Sequence, residues 1–126
     1  MKILIHRGAN QIGGCITEIQ SAAGTRILID LGHNLPGESE TLDKFDDPSN
    51  LSALLEGISG IIYTHNHGDH IGFFEHVPES IPQYIGEMAK EVVFNAVDEI
   101  FNKAKRKGYL ELIEKMQYKI LRIKDF

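Results

Sequence analysis

The chain has 126 residues, enough for one domain or part of one and for a modest core. Its formal charge of −5 supplies no basic field to draw nucleic acid from a distance, and its single cysteine, Cys15, excludes an internal disulfide and fits a reducing compartment. Met1-Lys2-Ile3-Leu4-Ile5-His6-Arg7 is too short an apolar run for a signal peptide, and no stretch approaches the ~20 apolar residues that span a bilayer, so a cytoplasmic protein without membrane contact is expected.

Ile3-Leu4-Ile5 forms a first strand. Arg7 to Gly14 is a glycine-rich loop, but Gly8, Gly13 and Gly14 lack phosphate-loop spacing and no Lys-Ser/Thr follows, so it is read as a turn into the next strand. Cys15-Ile16-Thr17-Glu18-Ile19-Gln20 partly alternates apolar and polar residues, which predicts a strand with Cys15 as a small core residue on it. Ser21 to Thr25 is a turn. Arg26-Ile27-Leu28-Ile29-Asp30-Leu31 is nearly continuous in apolar residues, as expected of a strand covered on both sides, and pairs with its predecessor as a hairpin. Asp30 ends that strand, and an acid there needs partners. His33 is a lone loop histidine, expected in solvent rather than lining a metal pocket, and His6 and His76 have a still weaker case for a functional role. Residues 34–50 are rich in Pro, Gly, Ser, Asp and Glu and make a polar loop, with Asp46 and Asp47 as solvated charges. A short helix spans Asn50 to Glu56, capped by Ser49 or Asn50 and stopped by Gly57.

Gly60-Ile61-Ile62-Tyr63 predicts a buried strand, and Thr64-His65-Asn66-His67-Gly68-Asp69-His70 follows at once. His65 and His67 are two residues apart, so in an extended segment their rings point the same way. Two neutral imidazoles on one side make half of a tetrahedral zinc site. Gly68 lets the backbone turn, so that Asp69 and His70 present a second nitrogen-and-oxygen pair nearby. Two metals roughly 3.5–4 Å apart are the arrangement that generates a metal-bridging hydroxide. Nitrogen plus oxygen donors favour zinc, with iron or manganese as alternatives.

Ile71, Gly72, Phe73, Phe74 and Val77 predict a helix closed by Pro78. Ile81 to Gly86 predicts a short strand with Pro82 at its start. Glu87 to Lys107 has apolar residues at three- and four-residue steps (Ala89, Val92, Val93, Ala96, Val97, Ile100, Phe101, Ala104), which predicts one long helix. Lys103, Lys105, Arg106 and Lys107 fall at its negative end and Gly108 at its stop, so this basic cluster has a structural reason and is not taken as a nucleic-acid patch. A second helix over 109–116 and a strand from Tyr118 to Ile123 complete the chain. There is no internal repeat.

The motif His65-x-His67-x-Asp69-His70 resembles the signature of the metallo-β-lactamase superfamily of metallohydrolases. The segments Gly8 to Cys15 and Arg26 to Gly32 resemble the opening of its β-CASP and ribonuclease J-like branch. The resemblance covers roughly residues 2–90. It implies an α/β fold, the N-terminal half of a metallo-β-lactamase-like αββα sandwich, with a mixed and mostly antiparallel sheet flanked by helices. It further implies that His65 and His67 hold one metal and Asp69 and His70 a second. Asp69 would also accept a proton, and Asp30 would support the metal loop through hydrogen bonds without being a ligand. The glycine-rich loop would border the active face, opening a substrate role for Asn10 and Gln11. The activity implied is metal-dependent hydrolysis of a phosphodiester, with RNA as a partner. A small-molecule ester, thioester or lactam hydrolase is the enzymatic alternative, and a catalytically incomplete metal-binding remnant or interaction fragment is the non-enzymatic one.

The sequence departs from the family pattern at its end. Members take two more histidines and a bridging aspartate from later motifs, whereas here no histidine follows His76 and only Asp98 and Asp125 remain among the aspartates. Residues 1–126 are therefore expected to be an incomplete metallo-β-lactamase-like domain with one apolar sheet face uncovered. A missing C-terminal half, or a second copy in a homodimer, would complete it.

Overall fold

The computed structural model describes residues 1–35, 37, 44–100 and 103–116. Strands β1 (Lys2–Arg7), β2 (Ile16–Gln20) and β3 (Arg26–Ile29) form an antiparallel meander. Strands β4 (Gly60–Tyr63) and β5 (Gln83–Ile85) then add in parallel, and the order is β1-β2-β3-β4-β5. Parallel neighbours need crossover connections. Helix α1 (Pro48–Leu55) makes the first, between β3 and β4, and α2 (Gly68–Ile71) with a 3₁₀ turn at Phe74–His76 makes the second. Helices α3 (Glu87–Ile100) and α4 (Lys103–Lys115) follow. The sheet is mixed, as expected, but its parallel pairings equal its antiparallel ones in number.

The pleat and the register divide the sheet into two unlike faces. Ile16, Leu28, Ile61, Tyr63 and Ile85 share one face and are buried with Leu51, Leu54 and Leu55 of α1 and Ile113 of α4. Each such side chain contributes about 1.5–3 kcal/mol by leaving water. Tyr63 keeps its hydroxyl satisfied there by donating to Gln83 Oε1 at 2.5 Å. On the other face the register aligns Ile3, Ile19 and Ile27 in one row and Ile5, Thr17, Ile29, Ile62 and Tyr84 in the next. Ile3 and Ile5 are 59% and 57% exposed, and the rest of both rows is half-buried. This is the apolar face the sequence led us to expect. It also corrects one expectation, since Ile27 and Ile29 show that β3 is packed tightly on one side only.

Several boundaries differ from the sequence reading, each for a local reason. β1 continues to Arg7 through an irregularity between Ile5 and Arg7. β3 stops at Ile29 because Asp30 takes a left-handed conformation (φ 61°). The cap of α1 is Asp47, whose carboxylate accepts the Ser49 N–H at 2.9 Å, with Pro48 at the first helical position. Asp47 is thus a structural cap and not merely a solvated charge, and its bond to Ser49 lowers its pKa. Gly57, at φ 74°, ends α1 as expected. The helix expected from Ile71 begins three residues earlier, inside the histidine motif, and stops at once. Phe73 donates its N–H to Leu31 O at 3.0 Å, leaving the helical ladder for β3's extension.

The single helix expected over 87–107 is two helices. Gly108 lies inside α4, where it costs about 1 kcal/mol relative to alanine. Burial of Ile113 and Met116 outweighs that cost. Lys90 of α3 donates to Glu114 O and Met116 O, satisfying carbonyls at the end of α4. Lys103 opens α4 instead of closing a longer helix, so the dipole account of the basic cluster does not hold. The strand expected over 118–123, and Asp125, lie outside the described residues.

Candidate metal centre

β3 and β4 are parallel neighbours, with Ile29 opposite Ile62. Their carboxyl ends therefore emerge side by side, and these ends carry Asp30 and Thr64-His65. Asp30 is buried, and its backbone N–H donates to Ile62 O at 2.9 Å. Aspartate tolerates the left-handed region better than most residues. The bend aims its carboxylate across at the β4 end. There Oδ1 accepts the Thr64 N–H at 2.7 Å, Oδ2 accepts the Thr64 hydroxyl at 2.8 Å, and Oδ2 also meets His70 Nδ1 at 2.7 Å.

The three histidine rings of the motif gather around this anchor. His65 and His67 have ring centroids 4.8 Å apart and nearly perpendicular planes. His65 and His70 are closer, at 3.9 Å. His70 Nε2 lies 3.4 Å from Asp69 Oδ2. Two ligands on one zinc, each about 2.1 Å from it at a tetrahedral angle, are separated by about 3.4 Å. The Asp69–His70 pair thus has the spacing of two ligands on one ion. Among the described residues, no group of three or more His, Cys, Asp or Glu side chains is disposed to hold a metal ion.

The backbone of the motif is stitched to three other segments. Cys15 N–H donates to Asp69 O, Leu31 N–H to His70 O and His33 N–H to Gly68 O, at 3.1, 2.8 and 2.9 Å. Gly32 is required by this closeness, since a Cβ there would overlap the Asp69 carbonyl. Gly13, at φ 71°, lies against the Asp69 carboxylate in the same way. The glycine-rich loop is therefore more than a turn into β2, because it lies against the Asp69 carboxylate. Gln11 pins it by donating to Asn34 Oδ1 at 2.7 Å, and Asn10 is exposed.

Cys15 is not the strand core residue expected. It precedes β2, is half-buried, and has its thiol pKa raised by burial and by the Asp30 and Asp69 carboxylates. It is correspondingly unsuited to act as a thiolate. His33 is exposed, as expected, with its ring edge on Phe73 at 4.1 Å, and partial desolvation lowers its pKa. His6 bonds Glu18 and His76 lies by Glu75, both away from the motif.

Two residues went unassigned in the sequence. Thr64 touches Asp30 and His65 together, its Oγ1 lying 3.0 Å from His65 Nδ1. Arg7 is buried, donating from Nε to Gly14 O at 2.6 Å and from its guanidinium to Gly32 O, while it packs on Phe45 and Phe73. It clamps the glycine loop and the 30–33 segment around the motif. The only sequence signal for Arg7 was a cation between an apolar strand and a glycine run.

A parallel pair of strands whose ends gather three histidines and two aspartates describes a metallohydrolase scaffold. The chain matches the metallo-beta-lactamase superfamily over residues 16–124 and belongs to it. It is also similar to the transcription termination factor FttA of Methanocaldococcus jannaschii, with 36% identity over 66 residues. That stretch is 52% of this chain and 10% of the relative, so the chain spans about a tenth of that relative's length. No helix among the described residues is long and apolar enough to cross a membrane.

Proposed function

We propose that residues 64–70 and Asp30 form one side of a dinuclear, zinc-dependent hydrolase centre that acts on phosphodiesters, in the manner of ribonuclease J-like enzymes. The observation that supports it most is the placement of His70. Its Nδ1 faces Asp30, which leaves Nε2 facing the Asp69 carboxylate at a ligand-pair separation. His65 and His67 would hold the first metal, and Asp69 and His70 the second. When bound, such metals lower the pKa of a water and polarise the phosphorus or carbonyl it attacks. The family resemblance would make Asp69 a proton acceptor during turnover, and Asp30 keeps His70 turned toward the pair. Each metal has two donors from this set, and a catalytic zinc takes three protein ligands plus water. The remaining ligands are supplied from outside it, by a second half of the domain or by a second copy of the chain. The similarity to a transcription termination factor and the glycine-loop opening favour RNA as the phosphodiester, with local contacts replacing long-range attraction in an acidic chain. A single cysteine fits a reducing, cytoplasmic setting.

The test is zinc content and hydrolysis together. About two zinc equivalents per chain, lost in His67→Ala, with turnover of a phosphodiester and not of thioester or lactam substrates, is the expected result. Metal binding with only ester, thioester or lactam turnover would overturn the substrate assignment. No retained zinc, manganese or iron would overturn the metal assignment for this chain and favour an inherited, incomplete site.

A further inference from the structure

We propose that Thr64 is a positioning residue that sets the tautomer of His65, so that Asp30 and Thr64 together leave both His65 and His70 with their Nε2 lone pairs free. This rests on the metal reading above and adds to it which ring nitrogens face the ion.

The argument is a count of protons. A threonine hydroxyl has one hydrogen to donate and two lone pairs with which to accept. The nearest acceptor is the Asp30 carboxylate, with Oδ2 at 2.8 Å and Oδ1 at 3.0 Å. A carboxylate has no proton of its own to give, and bonds to it are about twice as strong as neutral ones. The Thr64 hydrogen therefore goes to Asp30. His65 Nδ1, 3.0 Å from the same Oγ1, then meets only lone pairs. A nitrogen bearing a lone pair would be repelled there, whereas an N–H makes a hydrogen bond. His65 is thus held as its Nδ1–H form. His70 Nδ1, 2.7 Å from Asp30 Oδ2, faces an acceptor directly and takes the same form. One buried carboxylate fixes two imidazoles, the nearer directly and the farther through a hydroxyl.

Thr64 is well suited to be tested, because it is exposed and its backbone N–H, not its side chain, makes the 2.7 Å bond to Asp30. Thr64→Val keeps the shape and removes the hydroxyl, and Thr64→Ser keeps the hydroxyl. Nitrogen-15 NMR of the metal-free protein at mildly alkaline pH reads each ring's tautomer, and competition with a chromophoric chelator reads zinc affinity. The expected result is Nδ1–H at both His65 and His70 in the parent chain. In Thr64→Val, His65 shifts toward Nε2–H while His70 is unchanged, and Thr64→Ser restores the parent pattern. Zinc affinity falls about tenfold in the valine variant, as for other residues that orient ligands. An Nε2–H His65 in the parent, or an unchanged His65 in Thr64→Val, overturns the proposal. So does a changed tautomer with unchanged zinc affinity. If the tautomers behave as described and no variant binds zinc, the metal reading fails and the assignment of Thr64 to the His65 tautomer stands.

Discussion

Gly32 and Gly68 flank the same backbone crossing and have opposite tolerances. A Cβ on Gly32 would overlap the Asp69 carbonyl and carbon, which are backbone atoms with nowhere to go. A Cβ on Gly68 would meet nothing within 4 Å. Gly32→Ala should therefore lose about 3 kcal/mol, the upper range for overpacking. Gly68→Ala, at the start of α2, should stay within about 1 kcal/mol of the parent. Urea unfolding of both variants checks this, and equal stabilities would show that the 30–33 segment does not cross the motif as closely as described. The comparison corrects the sequence reading at residue scale. Gly68 was expected to provide the turn, but it has an ordinary helical backbone, whereas Gly32 and Gly13, which contact the motif from other segments, are under steric demand. That demand depends on neighbours distant in sequence, which no local pattern reveals.

Across β1, β2 and β3, one buried carboxylate ties the meander together. Glu18 accepts from Arg26 Nε at 2.6 Å and Nη2 at 3.1 Å, and bonds His6 Nε2 at 2.8 Å. Arg26 also donates to Glu56 O at the end of α1. Arg26, with a smaller effect from His6, holds the Glu18 pKa at about 2, below the ordinary 4.5. The folded state therefore binds fewer protons than the unfolded chain between those values, and its stability falls as pH drops from about 4.5 to about 2. Glu18→Gln should lower stability at pH 7 and flatten the loss between pH 5 and pH 2.5, measured as the urea midpoint. The same acid loss in both proteins would remove Glu18 as a cause. At this scale the sequence was a good guide where period and punctuation agreed. The β2–β3 hairpin, β4, α1 and Gly57 were all readable. It failed where a distant contact decided a boundary, at Asp30 and at Phe73, and where one periodicity spans both α3 and α4.

For the whole molecule, the two faces of the sheet set its behaviour in solution. Ile3 and Ile5 are exposed on the apolar side of the sheet, beside the half-buried Ile19, Ile27, Ile29 and Ile62. The double change Ile3→Thr and Ile5→Thr keeps β-branched residues on β1, so folding stability should change by no more than about 1 kcal/mol. Self-association in sedimentation velocity should fall. A steep loss of stability with unchanged association would mean that the face is already buried. This face was expected from the family resemblance, whereas the histidine motif was announced by its spacing. The alignment of Asp30 with Thr64 was less visible, because it depends on a parallel pairing across α1.

That pairing also has a consequence in time. The β3–β4 contact joins segments separated in sequence by the whole of α1 and the residues around it, and such non-local contacts form late and slowly in folding. Until they form, the histidines are only a flexible hexapeptide with no fixed ring orientations. Before that step the chain would meet metal as an unstructured chelator. After it, the same side chains are a preorganised set, and the ligand geometry serves as a marker that β3 and β4 have closed in register.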